Sequence, residues 1–140
     1  MRISQQQARA RFADARTAHL ATADADAVPH LVPVVFATIG DRIATAIDWK
    51  PKSSTRLKRL RNIESNPQVA LLVDHYEEDW SGLWWARADG TAEIHAPEDQ
   101  PELLSALIAK YPQYQREPPT GELVVVRVVR WSGWQGGGSR

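Results

Sequence analysis

The spacing of hydrophobic and polar positions along the chain predicts six β-strands. Alternation or short apolar runs mark "HLATA" (19–23), "PHLVPVVFATI" (29–39), "RIATAI" (42–47), "QVALLVDH" (68–75), "LWWARADGTAEIH" (83–95) and "ELVVVRVVRWSGW" (122–134). Strict alternation in "RIATAI" is typical of a strand that is buried on one face only. Pro29 and Pro33 indicate that the second of these strands lies at an edge or contains a bulge.

Three helices are predicted between these strands. Ser4, with a glutamine three residues later, makes a capping-box pattern that predicts a helix over residues 5–15. A second helix is expected to be capped by Ser53 or Ser54 and to end near Asn66, which precedes a proline. The third covers residues 97–111, with prolines and acids in its first turns and an apolar stripe further on.

The resulting order of elements, α-β-β-β-α-β-β-α-β, predicts a mainly β protein. Consecutive strands joined by short turns favour antiparallel pairing, and six strands suit a barrel with helices outside it. The length of 140 residues fits one domain. We therefore expect a single domain over residues 1–134 and a flexible, glycine-rich tail over residues 135–140.

Composition and charge exclude several classes of function. The chain carries 17 basic and 17 acidic residues, so it has no general attraction for nucleic acid or for a membrane surface. It has no cysteine, which excludes disulfides and thiolate chemistry and fits a cytoplasmic location. No apolar run approaches the roughly 18 residues of a membrane span, and no signal-peptide core is present at the N-terminus.

The search for catalytic motifs gives little. The four histidines have no metal-binding spacing, so no metal site is predicted. Neither a nucleophile elbow nor a phosphate-binding glycine loop occurs. The acidic cluster in residues 74–79 is typical of a solvated loop. A chain without these groups is expected to take its chemistry from an organic cofactor.

The segment 50–61 concentrates positive charge. Six of the 17 cations fall within these twelve residues. Its first part is a strand-to-helix junction rich in hydroxyls, where free backbone N–H groups and the helix dipole favour an anion such as a phosphate. The alternative is a solvated helix face whose cations pair with acids elsewhere on the surface.

Five of the six tryptophans occur after residue 79. Trp84 and Trp85 are adjacent on one predicted strand and must point to opposite faces of it. One can fill the barrel, so the other must meet a partner subunit, a ligand or solvent.

The order of these pieces resembles a known family. "HLATADADAVPHLVPVVFATIGDRIATAID", then "LKRLRNIESNPQVALLVD" and then "GTAEI", is similar to the pyridoxamine 5′-phosphate oxidase-like family of flavin- or deazaflavin-binding split β-barrels. The resemblance covers residues 12–134. It is nearest to the actinobacterial branch that uses the deazaflavin coenzyme F-420, which carries a phosphate and an oligoglutamate tail.

The resemblance implies a fold, an assembly and a site. The fold is the six-stranded antiparallel split β-barrel of flavin mononucleotide (FMN) binding proteins, and the assembly is a homodimer with cofactor sites at the subunit interface. Carried over to this chain, the residues around the cofactor ring are His30, Val32, Pro33, Val34, Ile47 and Asp48. Those around the phosphate are Lys52, Ser53, Lys58 and Arg59, with Arg61 and Asn62 close by, and Trp80 lies in a loop that reaches the cofactor in relatives.

The leading hypothesis is an F-420-dependent oxidoreductase that transfers a hydride between the reduced cofactor and a small substrate. Six cations exceed what one phosphate needs and suit the multiply anionic tail of F-420. An FMN-dependent enzyme of the pyridoxamine-phosphate oxidase type is the alternative within the fold. A non-catalytic protein that stores the deazaflavin and a nucleic-acid binder that uses the basic helix are hypotheses from other classes.

Overall fold

A computed structural model describes residues 1–47 and 56–137 of the chain. The helices in these residues are α1 (Gln5–Asp14), α2 (Lys58–Ser65), α3 (Pro101–Lys110) and α4 (Pro112–Arg116). The strands are β1 (Ala18–Ala23), β2 (Pro29–Val34), β3 (Ala37–Ile39), β4 (Arg42–Ala46), β5 (Gln68–His75), β6 (Trp84–His95) and β7 (Leu123–Gln135). Short 3-10 turns at Trp80–Gly82 and Pro97–Asp99 precede β6 and α3.

The N-terminal helix forms as its capping box predicts. The hydroxyl of Ser4 accepts a hydrogen bond from the Gln7 N–H at 3.1 Å, and the Gln7 side chain accepts one from the Ser4 N–H at 2.9 Å. These two bonds satisfy donors that a helix start otherwise leaves unpaired. The buried residues of α1, Ala8 and Phe12, face the barrel.

The described sheet has seven strands where six were predicted, because the run 29–39 divides into β2 and β3. Between them, the Phe36 N–H donates to the Tyr111 hydroxyl at 3.0 Å, and that hydroxyl lies 2.9 Å from the Phe36 carbonyl oxygen. Both main-chain groups of Phe36 are thus used outside a strand ladder, and the strand ends there.

The sheet closes into a barrel. All its pairings are antiparallel, and the strand order is β2-β1-β5-β6-β7-β4-β3, which places β2 and β3 at opposite edges. These two edges are joined by only Val35 and Phe36. The three steps from Val34 to Ala37 reach at most about 11 Å, so the sheet must roll up to bring its edges together. The mainly β split-barrel fold with flanking helices is confirmed.

Two hydrophobic cores lie on the two sides of this barrel wall. The inner core contains the fully buried Phe12, Phe36 and Leu20, and the rings of Phe12 and Phe36 are 4.9 Å apart. The outer core lies between α3 and the outer faces of β4 and β7. Leu103 and Leu107, both predicted in the apolar stripe of the third helix, are fully buried there.

The prediction that β4 is buried on one face only is wrong, and the outer core explains why. Ile43, Ala44, Thr45 and Ala46 are all buried, although strict alternation predicted a strand with one exposed face. Ala44 and Ala46 belong to the outer core beneath α3, whereas Ile43 belongs to the inner core. The helix that covers the second face lies some 60 residues further along the sequence, which no local pattern reveals.

The second helix starts later than its sequence suggested. Leu57 occupies the N-cap position without a side-chain capping bond, so the prediction that Ser53 or Ser54 caps α2 is wrong. Its end at Ser65, with Asn66 as C-cap, confirms the predicted stop. Leu60 and Ile63 are buried in the inner core and fix the position of α2 on the barrel.

The last strand ends within the segment predicted to be a tail. β7 runs through Gln135, whose main-chain oxygen accepts a hydrogen bond from the N-terminal amine of Met1 at 2.7 Å.

Within the described part of the chain, no helix is both long and apolar enough to cross a lipid bilayer.

Candidate functional site

A pocket of about 250 Å³ opens where the two edges of the sheet meet. It lies between the end of β2, the β2–β3 connection, the end of β4, the α1–β1 connection and the start of α2. We call it the seam pocket, and it is lined by Thr17, Pro33, Val34, Val35, Thr45, Ala46 and Arg59.

Tyr111 holds two walls of the seam pocket together. Its hydroxyl lies 2.8 Å from the Arg16 carbonyl oxygen and also bonds the main chain of Phe36. Arg16 precedes Thr17 and Phe36 follows Val35, so each bonded residue is adjacent to one that lines the pocket. Burial raises the pKa of Tyr111, which keeps the hydroxyl protonated and able to donate at neutral pH.

Arg59 supplies the positive charge of the seam pocket. It is the second residue of α2 and half-buried at the rim, because the next residue, Leu60, is buried in the inner core. The remaining lining is apolar apart from the hydroxyls of Thr17 and Thr45. This combination fits a flat ring with polar edges that carries an anionic group.

Three of the site residues predicted from the sequence line this one pocket, namely Pro33, Val34 and Arg59. Ile47 follows the lining residue Ala46, but its side chain is buried in the inner core. Its main-chain N–H donates to the Glu122 carbonyl oxygen at 2.9 Å. Ile47 therefore supports the wall of the pocket from behind.

His30 and Val32 lie on the same face of β2 as Val34. Val32 packs against the inner core and does not line the seam pocket. His30 is half-buried, and its Nδ1 atom is buried without a hydrogen-bond partner among the described residues. A buried polar atom of this kind is costly unless something pairs with it, so His30 is a candidate ligand contact, although it does not line the seam pocket.

The cations of the basic segment have different surroundings. Arg56 donates to Glu122 at 2.9 Å and to Glu64 at 3.1 Å, and these bonds raise its pKa, with Glu122 contributing most. Lys58 lies 3.7 Å from a carboxylate oxygen of Asp24, and Arg61 is exposed. Part of the segment is therefore paired with acids, as the alternative interpretation of its charge expected.

Asp24 is itself held in place by the β1–β2 turn. Its carboxylate accepts hydrogen bonds from the main-chain N–H groups of Val28 at 3.0 Å and Asp26 at 2.9 Å. The Val28 bond, then the Asp26 bond and Lys58, lower the pKa of Asp24. A fixed carboxylate beside Lys58 reduces the positive potential that this lysine offers to a ligand.

Two other predicted residues lie away from the seam pocket. The side chain of Asn62 is buried and donates to the Thr22 hydroxyl at 3.0 Å, which joins α2 to β1. Trp80 is 75% exposed in the 3-10 turn before β6. Their contact with a cofactor stays a prediction, and Asp48, Lys52 and Ser53 lie outside the described residues.

Four lining residues were not predicted, namely Thr17, Val35, Thr45 and Ala46. Val35 and Ala46 adjoin predicted residues, so their neighbours in the sequence were a usable signal. Thr17 lies in a three-residue connection and Thr45 in an apolar strand, and neither has a pattern that marks a site. In residues 1–47 and 56–137, no three His, Asp or Glu side chains are close enough to hold a metal ion.

The geometry defines the protein as a split β-barrel with a pocket at its seam that carries one cation and two hydroxyls. Comparison with known families narrows this class. The sequence profile described as pyridoxamine 5′-phosphate oxidase matches residues 4–135, which is nearly the whole chain. The chain belongs to the pyridoxamine 5′-phosphate oxidase family.

Solved structures share this fold at low sequence identity. A conserved hypothetical protein from Mycobacterium tuberculosis matches with a TM-score of 0.73 and 22% identity, over 95% of this chain and 85% of that one. A FAD-binding protein from Mesorhizobium loti matches with a TM-score of 0.71 and 18% identity, over 95% of both chains. A heme-binding protein from Mycobacterium smegmatis matches with a TM-score of 0.77 and 19% identity, over 99% of this chain and 57% of that one. No curated protein sequence is significantly similar to this chain.

Proposed function

We propose that this protein binds the deazaflavin coenzyme F-420 at the seam pocket and transfers a hydride between the reduced coenzyme and a small substrate. The observation that carries the proposal is Arg59 in a pocket that also has an apolar wall and two threonine hydroxyls, in a split barrel of the pyridoxamine 5′-phosphate oxidase family. The cofactor would supply a ring carbon that gives or accepts the hydride. The chain would supply orientation, an anion contact and exclusion of water.

The lining residues of the seam pocket would have three roles. Pro33, Val34 and Val35 form an apolar wall against which a flat ring can pack, and the hydroxyls of Thr17 and Thr45 can bond its polar edge. Arg59 would hold the phosphate, since a guanidinium can donate two parallel hydrogen bonds to it. His30 Nδ1, four residues before Val34 on β2, is a further donor or acceptor.

The seam pocket is also smaller than a complete cofactor site. Its 250 Å³ lies below the roughly 300–1,000 Å³ typical of small-molecule sites. A second subunit that covers the pocket would enlarge and enclose it. We therefore propose that the working form is a homodimer with cofactor sites at the subunit interface.

The choice of F-420 over FMN depends on charge. A ligand with a phosphate and several tail carboxylates needs more cations than Arg59, and Lys58 and Arg61 are within one turn of it on α2. The Lys58–Asp24 contact is partly exposed and long, and such pairs contribute only about 0–1 kcal/mol, so a ligand can replace it. FMN is the alternative because the family and a FAD-binding structural neighbour use flavins.

The residues that line the seam pocket also bear on two other candidate functions, which are storage of the deazaflavin and haem binding. Among the described residues that line the seam pocket, none is a carboxylate, histidine, lysine or tyrosine that could act as an acid or base. This favours, as a second candidate function, a protein that stores or delivers the deazaflavin. A haem is disfavoured there because the same lining residues include no histidine, methionine or tyrosine to bind its iron.

The test is a fluorescence titration of the protein with F-420 and, separately, with FMN, at low and high salt. We expect micromolar binding of F-420 that weakens with salt, as a multiply charged contact should. Arg59→Ala is expected to weaken binding at least about tenfold, because hydrogen bonds to charged groups contribute about 1.5–3 kcal/mol. Adding Lys58→Ala is expected to weaken it further.

Arg127→Ala is the matched control, since it removes the same group from an exposed position on β7 that does not line the seam pocket. Equal loss in Arg59→Ala and Arg127→Ala would show that general charge, and not the pocket, binds the cofactor. Tighter binding of FMN would support the flavin alternative. F-420 binding without turnover on a broad panel of acceptors would support storage.

A further inference from the structure

A second pocket, of about 350 Å³, lies on the outer face of β6 and β7, beside the N-terminal segment. It shares no lining residue with the seam pocket. Its side chains with binding capacity are Arg2, Arg87, Arg130, Trp85, Trp134 and Ser132, and we call it the arginine–tryptophan pocket.

The strand register brings these side chains together. Trp85 and Arg87 alternate along β6 with residues that face the inner core, so both point outward. In the pairing with β7, Trp85 lies opposite Trp134 and Arg87 lies opposite Ser132. Arg2 pairs with Trp134 through an isolated bridge, which places the N-terminal segment along one side of the pocket.

The two adjacent tryptophans divide between the two faces, as their positions in the sequence predicted. Trp84 packs against the inner core, where its ring stacks on His75 with centroids 6.4 Å apart. Trp85 lines the arginine–tryptophan pocket, with the Arg87 guanidinium 5.6 Å from its ring centroid. The outward tryptophan therefore has a cation beside it but no hydrophobic core around it.

The charge of this pocket is not balanced by its surroundings. Arg87 donates to Asp89 at 3.1 Å, whereas Arg2 and Arg130 have no hydrogen bond or ion pair with any side chain among the described residues. Two guanidinium groups that have no side-chain partner in residues 1–47 and 56–137, in a chain of zero net charge, form a local anion-attracting surface.

The hydroxyl of Ser132 also indicates that the pocket binds a ligand. Its oxygen is buried, and it has no hydrogen-bond partner within residues 1–47 and 56–137. A buried hydroxyl without a partner is destabilising, and a polar ligand in the pocket would remove that cost. The polar group, the unpaired cations and the indole rings line one cavity.

We propose that the arginine–tryptophan pocket binds a planar aromatic molecule that carries a phosphate group. The indoles of Trp85 and Trp134 offer flat surfaces on which an aromatic ring can stack. Arg2, Arg87 and Arg130 meet the phosphate, which as a dianion uses more than one guanidinium. Ser132 donates its hydroxyl proton to the ligand.

The probe is adenosine 5′-monophosphate, titrated calorimetrically into the full chain at low salt. Adenosine and inorganic phosphate, titrated separately, report the ring and the anion alone. We expect the mononucleotide to bind at least about tenfold more tightly than either part, because both contacts are needed. Its binding is expected to weaken with salt.

The variant Arg2→Ala with Arg130→Ala is expected to weaken mononucleotide binding at least about tenfold. Arg127→Ala is the matched control, because Arg127 is an exposed arginine of β7 that does not line this pocket. Thermal unfolding by circular dichroism checks the fold, and Arg130→Gln alone serves if the double variant does not fold.

Arg59→Ala separates this inference from the proposed function. It removes the charge of the seam pocket, so it is expected to leave mononucleotide binding within about twofold of the native value. Loss of binding in Arg59→Ala would place the mononucleotide at the seam pocket and overturn the proposal. No binding at millimolar concentration, or equal loss in Arg127→Ala and the double variant, would also overturn it.

Discussion

Arg56 and Arg59 show how differently two arginines of one short segment are used. Arg56 is held by Glu122 and Glu64, and its role is to fasten the chain before α2 to the start of β7. Arg59, three residues later, reaches the rim of the seam pocket. Sequence alone gives both the same charge, and only their places in the fold distinguish the arginine that joins α2 to the start of β7 from the one that lines a pocket.

Asn62 is the buried polar residue on which the position of α2 depends. Its amide donates to the Thr22 hydroxyl at 3.0 Å, and both side chains are buried. We expect Asn62→Ala to lower the free energy of unfolding by about 1–3 kcal/mol, because it leaves the Thr22 hydroxyl with one partner fewer in the interior. Urea denaturation of the native chain and the variant measures this change.

A double-mutant cycle isolates the bond itself. Thr22→Val breaks the same contact from the other side, so the combined Thr22→Val and Asn62→Ala variant should lose less stability than the sum of the two single variants. The coupling energy is expected to be about 1 kcal/mol. Strict additivity would show that Asn62 acts by packing only.

At the scale of elements, the C-terminal end of α3 buries a lysine. The Lys110 ammonium lies 3.8 Å from the Phe36 ring centroid, and its nitrogen is buried without a hydrogen-bond partner among the described residues. Burial, followed by the nearby Arg16, lowers the pKa of Lys110 from 10.5 to about 8, and Asp14 opposes this shift. The helix dipole and the aromatic ring favour the charge, but they do not replace lost water.

Lys110 makes the free energy of unfolding change with pH in the alkaline range. Below pH 8 it is protonated in both states and the cost of its burial is present in full. Between pH 8 and 10.5 the unfolded chain binds more protons than the folded one, so the free energy of unfolding rises with pH. Because the side chain is only half-buried, we expect the rise to be about 1 kcal/mol, well below the value for the full shift.

The measurement is urea denaturation at pH 7 and pH 10 for the native chain and for Lys110→Met. The variant lacks the titrating group, so the contribution of Lys110 to the change between the two pH values should disappear in it. Lys58→Met is the control, since it removes a partly exposed lysine that pairs with Asp24. An identical pH dependence in the native chain and Lys110→Met would contradict the expectation.

Helices and strands that are determined by neighbouring residues in the sequence were predicted well. Features that depend on contacts between distant residues were not. β5 occupies residues 68–75 as its apolar run predicts, and α1 follows from its capping box. The break between β2 and β3 depends on Tyr111, which is 75 residues from Phe36. Likewise, Thr17 and Thr45 become pocket residues only because the closed sheet brings its edges together. Such contacts are set by topology and leave no periodic pattern.

At the scale of the whole molecule, the outer face of β2, β1 and β5 carries exposed apolar side chains that, within the described residues, belong to neither hydrophobic core. Leu31 is 65% exposed and lies opposite Ala21, and His19 lies opposite both Pro33 and Leu72. The covered outer faces of β4 and β7 contrast with this open one. Exposed apolar side chains on a sheet face that adjoins the seam pocket at Pro33 suit contact with a second copy of the chain.

Leu31→Asp tests whether this face forms the proposed homodimer. We expect the native chain to sediment as a dimer and the variant as a folded monomer, because the added charge is hydrated in a single subunit but would be buried at the interface. Cofactor binding should weaken together with dimer formation, since one subunit provides only a pocket of about 250 Å³. Val129→Asp is the matched control, because Val129 is 72% exposed on β7, away from this face. A native monomer that binds the cofactor tightly would refute the interface site, and a dimeric Leu31→Asp variant would place the interface on another face of the barrel.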